Sequence, residues 1–325
     1  MNRLSYCTYI RIIAMASIVI CHVVQHHPNL YVQMSSQFFN IGVQIFFCLS
    51  GFLLGYKGKI QPIGTWYKKR MKRIYIPWLL FVAALAIIHL CKGNNIFTWN
   101  WLRLLFGLQG TEVGVPGAGH TWFITSLLLC YALTPLLNAF IQRVKPRITC
   151  ILLAIAPITF AFFPINVFTL ICPVCWYGIA YIAGQKYSER WLNQRNGVIA
   201  LLIALCALII RFVVRFFTEN PIVYYKLCVN YTQFVAAAGI MLFLAVLLKD
   251  TRVGRFCSYI SDISFELYLY HYMLCVGPIS IFALGLPWIW SAILVVVCTV
   301  GMAATAHFVT NNCLEKKLLK IRTNT

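Results

Sequence analysis

Ionisable side chains inside long apolar runs are where this sequence can do chemistry, because a charge in hydrocarbon is costly and faces a cavity or a partner. Arg11 and His22 stand in the first such run, eleven residues apart. At about 100° per residue that spacing amounts to about 1,100°, roughly 20° past three full turns, so on a helix the two share one face. Along the axis they are then separated by about 16 Å. An imidazole titrates near neutrality and suits proton transfer in such a setting. The plainer alternative has Arg11 reaching the interface by its aliphatic stem and His22 bonded within a core.

The run from Trp66 to Arg73, just ahead of Ile74-Tyr75-Ile76-Pro77, is strongly basic. Beside a membrane such a run ordinarily sets topology or meets anionic lipid. Arg70 and Arg73 are three residues apart where the third span begins, hence on one face. Two guanidiniums there can hold a phosphate-bearing ligand bidentately. His120 and Trp122 open the fourth span at the depth of His22, so His22 and His120 are expected to line one cavity. The ninth span is the most polar, with Ser261, Asp262, Ser264, Glu266, Tyr268, Tyr270 and His271. Ser264, Tyr268 and His271 fall on one stripe, as a cavity lining would; plain interhelical hydrogen bonding is the alternative. Glu266 points elsewhere and is expected to neutralise Arg211 or Arg215.

Other patterns read as structure. Gly51 and Gly55 form a G-x-x-x-G pair suited to helix packing. Cys172-Pro-Val-Cys175 sits among apolar neighbours, where Cys behaves as a small hydrophobe, as do most of the 14 cysteines. No phosphate-cradling glycine loop, zinc-binding helix or nucleophile elbow occurs in a suitable setting. Neither a metal nor a nucleic acid is therefore expected.

The elements that position these residues follow from composition. The chain has 325 residues, 61% hydrophobic and 10% charged, with mean hydropathy +0.79. A soluble domain is nearer 45–50% apolar, so lipid must solvate the excess. Runs of about 20 apolar residues, enough to cross the bilayer, recur along nearly the whole length. This predicts an all-α integral membrane protein, one polytopic domain over residues 1–325. About ten transmembrane helices are expected, near 7–25, 38–56, 74–91, 120–140, 148–163, 167–184, 196–217, 229–248, 260–284 and 287–310. Pro164, Pro221 and Pro287 stand at or near the breaks, where proline can begin a helix. The first run lacks a small-residue cleavage site and is expected to remain as a span rather than a signal peptide.

The net charge of +20 would suggest nucleic acid in a soluble protein. Here it follows topology. With both termini cytoplasmic, 21 of the 27 Lys and Arg fall on inner segments, as short cytoplasmic loops favour. Lys92, Arg103 and Lys226 fall outside, and Arg11, Arg211 and Arg215 within spans. The longest outer connection, 92–119, is rich in glycine (Gly107, Gly110, Gly114, Gly117, Gly119). It reads either as a segment covering a site or as a plain connector.

Arg11-x10-His22 followed by Gly42-Val43-Gln44-Ile45-Phe46-Phe47-Cys48-Leu49-Ser50-Gly51-Phe52 resembles the start of the membrane-bound acyltransferase 3 family. Arg70-x-x-Arg73, the His120-Thr121-Trp122-Phe123 opening and Ser264…Tyr268-Leu269-Tyr270-His271 continue in that family's order, over about residues 5–310. The resemblance implies a ten-helix core that moves acyl groups, often acetyl from cytoplasmic acetyl-CoA, to acceptors on the far side of the plasma (inner) membrane. Acceptors are commonly hydroxyls of envelope or exported polysaccharides, so a glycan acceptor and membrane lipids are the expected partners. It implies His22 as the key catalytic residue, as general base or transiently acylated nucleophile. Arg11 would be its partner, and Arg70 with Arg73 would bind the coenzyme. Two positions depart from the pattern: Thr8-Tyr9-Ile10 holds no Asp before the first Arg, and Glu266 occupies a usually neutral place. No hydrolase-like domain is expected after residue 325. The competing function is a transporter or exporter of a polysaccharide or small solute, since ten helices with buried charges fit a carrier too. A third is acyl transfer to a small amine or amino acid.

Overall fold

A computed structural model describes residues 4–58, 60, 62–109, 114–218, 220 and 222–322, without the side chains of 165, 166 and 313–322. Gly110, Pro221, Arg3, Lys59 and the side chains of the C-terminal cations, used above for loop, break and charge, lie outside the described residues. Among those described there is no strand, and the chain is an all-α, multi-pass membrane protein. Helices suit this setting because every interior backbone polar group is satisfied within the segment.

In chain order the helices are α1 (Ser5–Val24), α2 (Leu30–Phe39), α3 (Gly42–Lys57), α4 (Ile63–Cys91), α5 (Trp99–Leu105), α6 (Trp122–Arg143) and α7 (Pro146–Phe160). Then come α8 (Ile165–Gln185), α9 (Gln194–Phe217), α10 (Val229–Leu248), α11 (Arg255–Asp262), α12 (Ser264–Cys275) and α13 (Trp288–Arg322). Eight stretches are long and apolar enough to cross a membrane, α2 and α3 together forming one of them. The expected fifth and ninth spans correspond to shorter elements, the 15-residue apolar helix α7 and the interrupted pair α11–α12. Pro164 caps α8, and Pro287 immediately precedes α13.

Three elements differ from the sequence reading. The second span is preceded by a separate helix, α2, capped by Asn29, whose side chain accepts from Tyr31 N at 2.9 Å. Tyr31 and Leu30 on it are 83% and 64% exposed, as on a helix lying along an interface. The third span begins at Ile63 rather than near 74, so the whole basic run is helical; a cationic amphipathic turn leaves no trace in hydropathy. Inside α4, Pro77 has no N–H to give the Arg73 carbonyl. The ninth span is broken at Ile263 and stops at Cys275, ahead of Gly277-Pro278, instead of running from 260 to 284. The Ser264 hydroxyl donates to the Ser261 carbonyl across that break at 2.8 Å.

Close helix pairs are made by glycine. Gly51 and Gly55 of α3 lie against the carbonyls of Tyr177 and Tyr181 on α8, and Gly184 returns the contact at Phe52. The G-x-x-x-G pair is a packing device, as expected. Cys172 and Cys175 are free and buried in apolar packing. The largest apolar cluster joins α1, α3, α4, α6, α8, α12 and α13, so the polar residues of α1 and α12 are held inside a packed bundle.

Candidate active site

The helical phase inferred for α1 places Arg11 and His22 toward the same neighbours, α11 and α12. At one end, the His22 ring lies 5.4 Å from the His271 ring and 5.0 Å, edge-on, from Tyr272. His120 stacks on Tyr272 at 4.8 Å and stands 5.3 Å from His271 and 4.9 Å from Tyr268. The Tyr268 hydroxyl donates to the His120 carbonyl at 2.5 Å. His22, His120, His271, Tyr268 and Tyr272 thus form one cluster, as the common depth of His22 and His120 implied. Among the described residues, no group of three or more His, Cys, Asp and Glu is arranged to hold a metal ion.

The protonation pattern of this cluster can be read from its bonds. His271 Nδ1 donates to the Tyr268 carbonyl at 2.7 Å, which leaves Nε2 as the acceptor nitrogen. That Nε2, and both ring nitrogens of His120, are buried with no hydrogen-bond partner. Three such atoms in one place are costly unless a polar molecule meets them. At His22, Nδ1 lies 3.2 Å from Gln25 Oε1, while the Gln25 amide nitrogen faces Cys21 Sγ at 3.5 Å. With Nδ1–H donated to Gln25, the His22 lone pair is on Nε2, free to accept a proton or to attack an acyl carbon.

Loops hold this end in place. His89 donates from Nε2 to the Pro116 carbonyl at 3.0 Å and faces Asn94 through Nδ1. Gly117 takes φ 87, open to a residue without Cβ, and meets Gly277 and Pro278 there. A Cβ on Gly119 would stand 3.1 Å from the Tyr272 hydroxyl, so the chain passes close beside that ring. The connection 92–119 is therefore more than a tether: α5 buries Trp101 and Leu104, and its far end delivers His120. On the other side His26 stacks on Phe282 at 4.4 Å, and Trp288 Nε1 donates to the Val23 carbonyl at 3.2 Å. Burial holds the His26 imidazole below its usual pKa.

The other end is cationic. Arg11 donates to Ser261 Oγ at 3.0 Å. The Arg70 guanidinium lies over the rings of Trp66 and Tyr131, 5.7 and 5.9 Å from their centres. Arg11, Arg70 and Arg73 all stand close enough to Tyr131 for their charges to act on its hydroxyl. Of the three, Arg70 lies over the Tyr131 ring, while Arg73 and Arg11 act on it through their charge.

Two candidates take other places. Trp122 is half-buried against the apolar core, and its neighbour Phe123 lies 4.9 Å from Tyr268 instead. Ser264 closes the α11–α12 break. Glu266 does not pair with Arg211 or Arg215: its Oε1 meets His307 Nδ1 of α13 at 2.9 Å. Arg211 instead donates to the Gln37 carbonyl. Gln25, Tyr131 and Tyr272 were not singled out from sequence, and Ser261 stood there only among the polar residues of the ninth span. Tyr272 alone carried a signal, four residues after Tyr268 on the same helical stripe.

Residues 4–307 match the family model described as an acyltransferase domain, that of acyltransferase 3. The chain is 22% identical over 264 residues to the succinoglycan biosynthesis protein ExoH of Rhizobium meliloti (strain 1021), covering 76% of this chain and 68% of that protein. No solved structure matches the chain.

Proposed function

The chain belongs to the acyltransferase 3 family, and from that premise we propose that it is an O-acetyltransferase of the plasma (inner) membrane. It carries acetyl from cytoplasmic acetyl-CoA to a hydroxyl of an envelope or exported polysaccharide. Both termini face the cytoplasm, which is the orientation the distribution of Lys and Arg favours. The relative named for succinoglycan biosynthesis supports a glycan as acceptor. Family membership favours acyl transfer over the carrier reading.

The observation that carries the proposal is the division of one bundle into two chemically different ends. At one, Arg70 lies over Tyr131 with the charges of Arg73 and Arg11 felt at the same ring, and at the other His22 meets His271 and Tyr272, both of which also meet His120. Coenzyme A is a phosphate-bearing anion on a long arm. Guanidiniums suit its phosphates, and the rise from Arg11 to His22, about 16 Å on an α-helix, suits the arm.

At the far end His22 Nε2 takes the proton of the acceptor hydroxyl as its oxygen attacks the thioester carbonyl. The C–S bond breaks, an O-acyl ester forms, and the proton passes to the departing thiolate. In the two-step version Nε2 itself attacks, releases coenzyme A and hands the acyl group to the hydroxyl. Both use the same lone pair. The unpartnered nitrogens of His120 and His271 are placed to receive a polar acceptor.

Purified protein supplied with labelled acetyl-CoA and a glycan acceptor tests this. His22→Ala is expected to lose acetylation about 10²-fold or more, with acetyl-CoA binding kept. Arg70→Ala with Arg73→Ala is expected to abolish that binding. Undiminished acetylation by His22→Ala refutes the assigned role.

A further inference from the structure

A second group of cations stands away from Arg70 and Arg73. Arg211 and Arg215 are one turn apart near the C-terminal end of α9. Arg211 is 6% exposed and donates through Nη1 to the Gln37 carbonyl at 3.1 Å, yet its Nε is buried without a partner. Arg215 is exposed, its guanidinium 5.9 Å from the centre of the Tyr224 ring. No carboxylate pairs with either among the described residues. Both line a pocket between α2 and α9 whose other walls include Met34, Phe38, Leu208 and Phe212. Phe38 and Phe212 stack there at 6.3 Å.

Buried intramembrane arginine faces a cavity, another polar side chain or a backbone carbonyl; the Gln37 carbonyl takes one N–H of Arg211, and its Nε is left over. The planar guanidinium fork matches phosphate oxygens, and it is more weakly hydrated than an ammonium. Two such forks beside apolar walls fit an amphiphile with a phosphate head and a hydrocarbon tail. A soluble anion would gain nothing from Phe38 and Phe212, and a neutral lipid would leave two positive charges that meet only the Gln37 carbonyl and Tyr224. The position also matters: Arg211 stands close enough to Cys21 for its charge to be felt there, and Cys21 directly precedes His22. A head group held by Arg211 is therefore at about the same depth along α1 as His22, though consecutive residues of a helix point about 100° apart.

We propose that the α2–α9 pocket binds the phosphate group of a membrane lipid. The chemistry is shared by two sources: the phosphodiester of a glycerophospholipid and the pyrophosphate of a lipid-linked saccharide. The first would make the pocket a lipid anchor, the second a dock that brings an acceptor to His22. The binding itself does not depend on acyl transfer, so it stands or falls separately from the function proposed above.

The test is equilibrium lipid binding to the full-length protein in neutral detergent. The probes are phosphatidylglycerol, a long-chain prenyl pyrophosphate and, lacking phosphate, a diacylglycerol. At least one phosphate probe is expected to bind at least tenfold more tightly than diacylglycerol. Arg215→Gln is expected to weaken it roughly tenfold, as loss of a charge-assisted bond does. Arg211→Gln should weaken it by as much or more, and Arg195→Gln, at the other end of α9, should leave it unchanged. Arg215 is exposed, so its variant remains decisive even if Arg211→Gln fails to fold. A tenfold preference for the pyrophosphate identifies the lipid-linked saccharide; equal or better binding of phosphatidylglycerol identifies the ordinary phospholipid. If neither phosphate probe exceeds diacylglycerol, or Arg215→Gln binds as the wild type does, the proposal is wrong.

Discussion

Replacing Gln25 with Ala removes the hydrogen-bond acceptor of the His22 ring, Nδ1 to Oε1 at 3.2 Å. Gln25 is exposed, so the change opens no cavity and the fold should persist. What is lost is the bias that puts the proton on Nδ1 and the lone pair on Nε2. A hydrogen bond of this kind contributes about 0.5–1.5 kcal/mol net, which converts to a fall in kcat of about 2- to 13-fold. That is far smaller than the loss expected on removing the imidazole, about 10²- to 10⁴-fold for a general base. KM for the acyl donor should not move, because Gln25 stands at the end opposite Arg70 and Arg73. Gln25→Glu keeps an acceptor oxygen at the same reach and should recover most of the rate. The assay is initial-rate acyl transfer by membrane vesicles matched for protein content. Wild-type kcat in Gln25→Ala, or a loss as deep as that of His22→Ala with no rescue by Gln25→Glu, would refute the positioning role.

Other consequences follow from single contacts. His307→Ala strands the Glu266 carboxylate, which is 4% exposed, and should lower stability by about 2–3 kcal/mol; pairing it with Glu266→Gln should restore much of the melting temperature. Gly55→Ala drives a methyl into the Tyr181 carbonyl and should destabilise, whereas at Gly64 nothing lies within 4 Å, so Gly64→Ala should stabilise α4 by about 0.5–1 kcal/mol. His26 is held below its usual pKa, so near pH 6 the folded protein binds fewer protons than the unfolded chain. Stability is then full above about pH 6.5 and falls as the pH drops below it. His26→Phe keeps the stack on Phe282 and should flatten the melting temperature between pH 5 and 8; an unchanged slope would assign the dependence to other groups.

How much of this was legible in the sequence depended on whether the signal was local. The phase of Arg11 and His22 needs only the helix repeat, and the meeting of His22 with His120 needed only their equal depth. The G-x-x-x-G pair likewise needs only the helix repeat. Helix ends with polar surroundings were misjudged: the basic turns ahead of Ile74 are helical, but hydropathy registers charge as an exit from the membrane. Gly277-Pro278 is a stop signal of the ordinary kind, masked in hydropathy by the apolar residues that continue past it. The break at Ile263 has no glycine or proline marker; it is closed locally by the Ser264 hydroxyl on the Ser261 carbonyl, a bond a serine makes as readily inside a helix. Long-range partners were invisible. Glu266 finds His307 forty-one residues away, and Tyr131 feels the charges of three arginines from two other helices, with nothing in its own neighbourhood to announce it.

The central claim is that one bundle holds an acyl donor by Arg70 and Arg73 at one face and reacts it at His22 toward the other. Sealed proteoliposomes of uniform orientation test it most directly, with labelled acetyl-CoA on the side of the termini and a glycan acceptor on the opposite side. The account predicts labelled ester on the acceptor across the membrane, lost with His22→Ala and with the Arg70→Ala, Arg73→Ala pair. Ester formed only when donor and acceptor share a compartment, or formed equally well without His22, would contradict it.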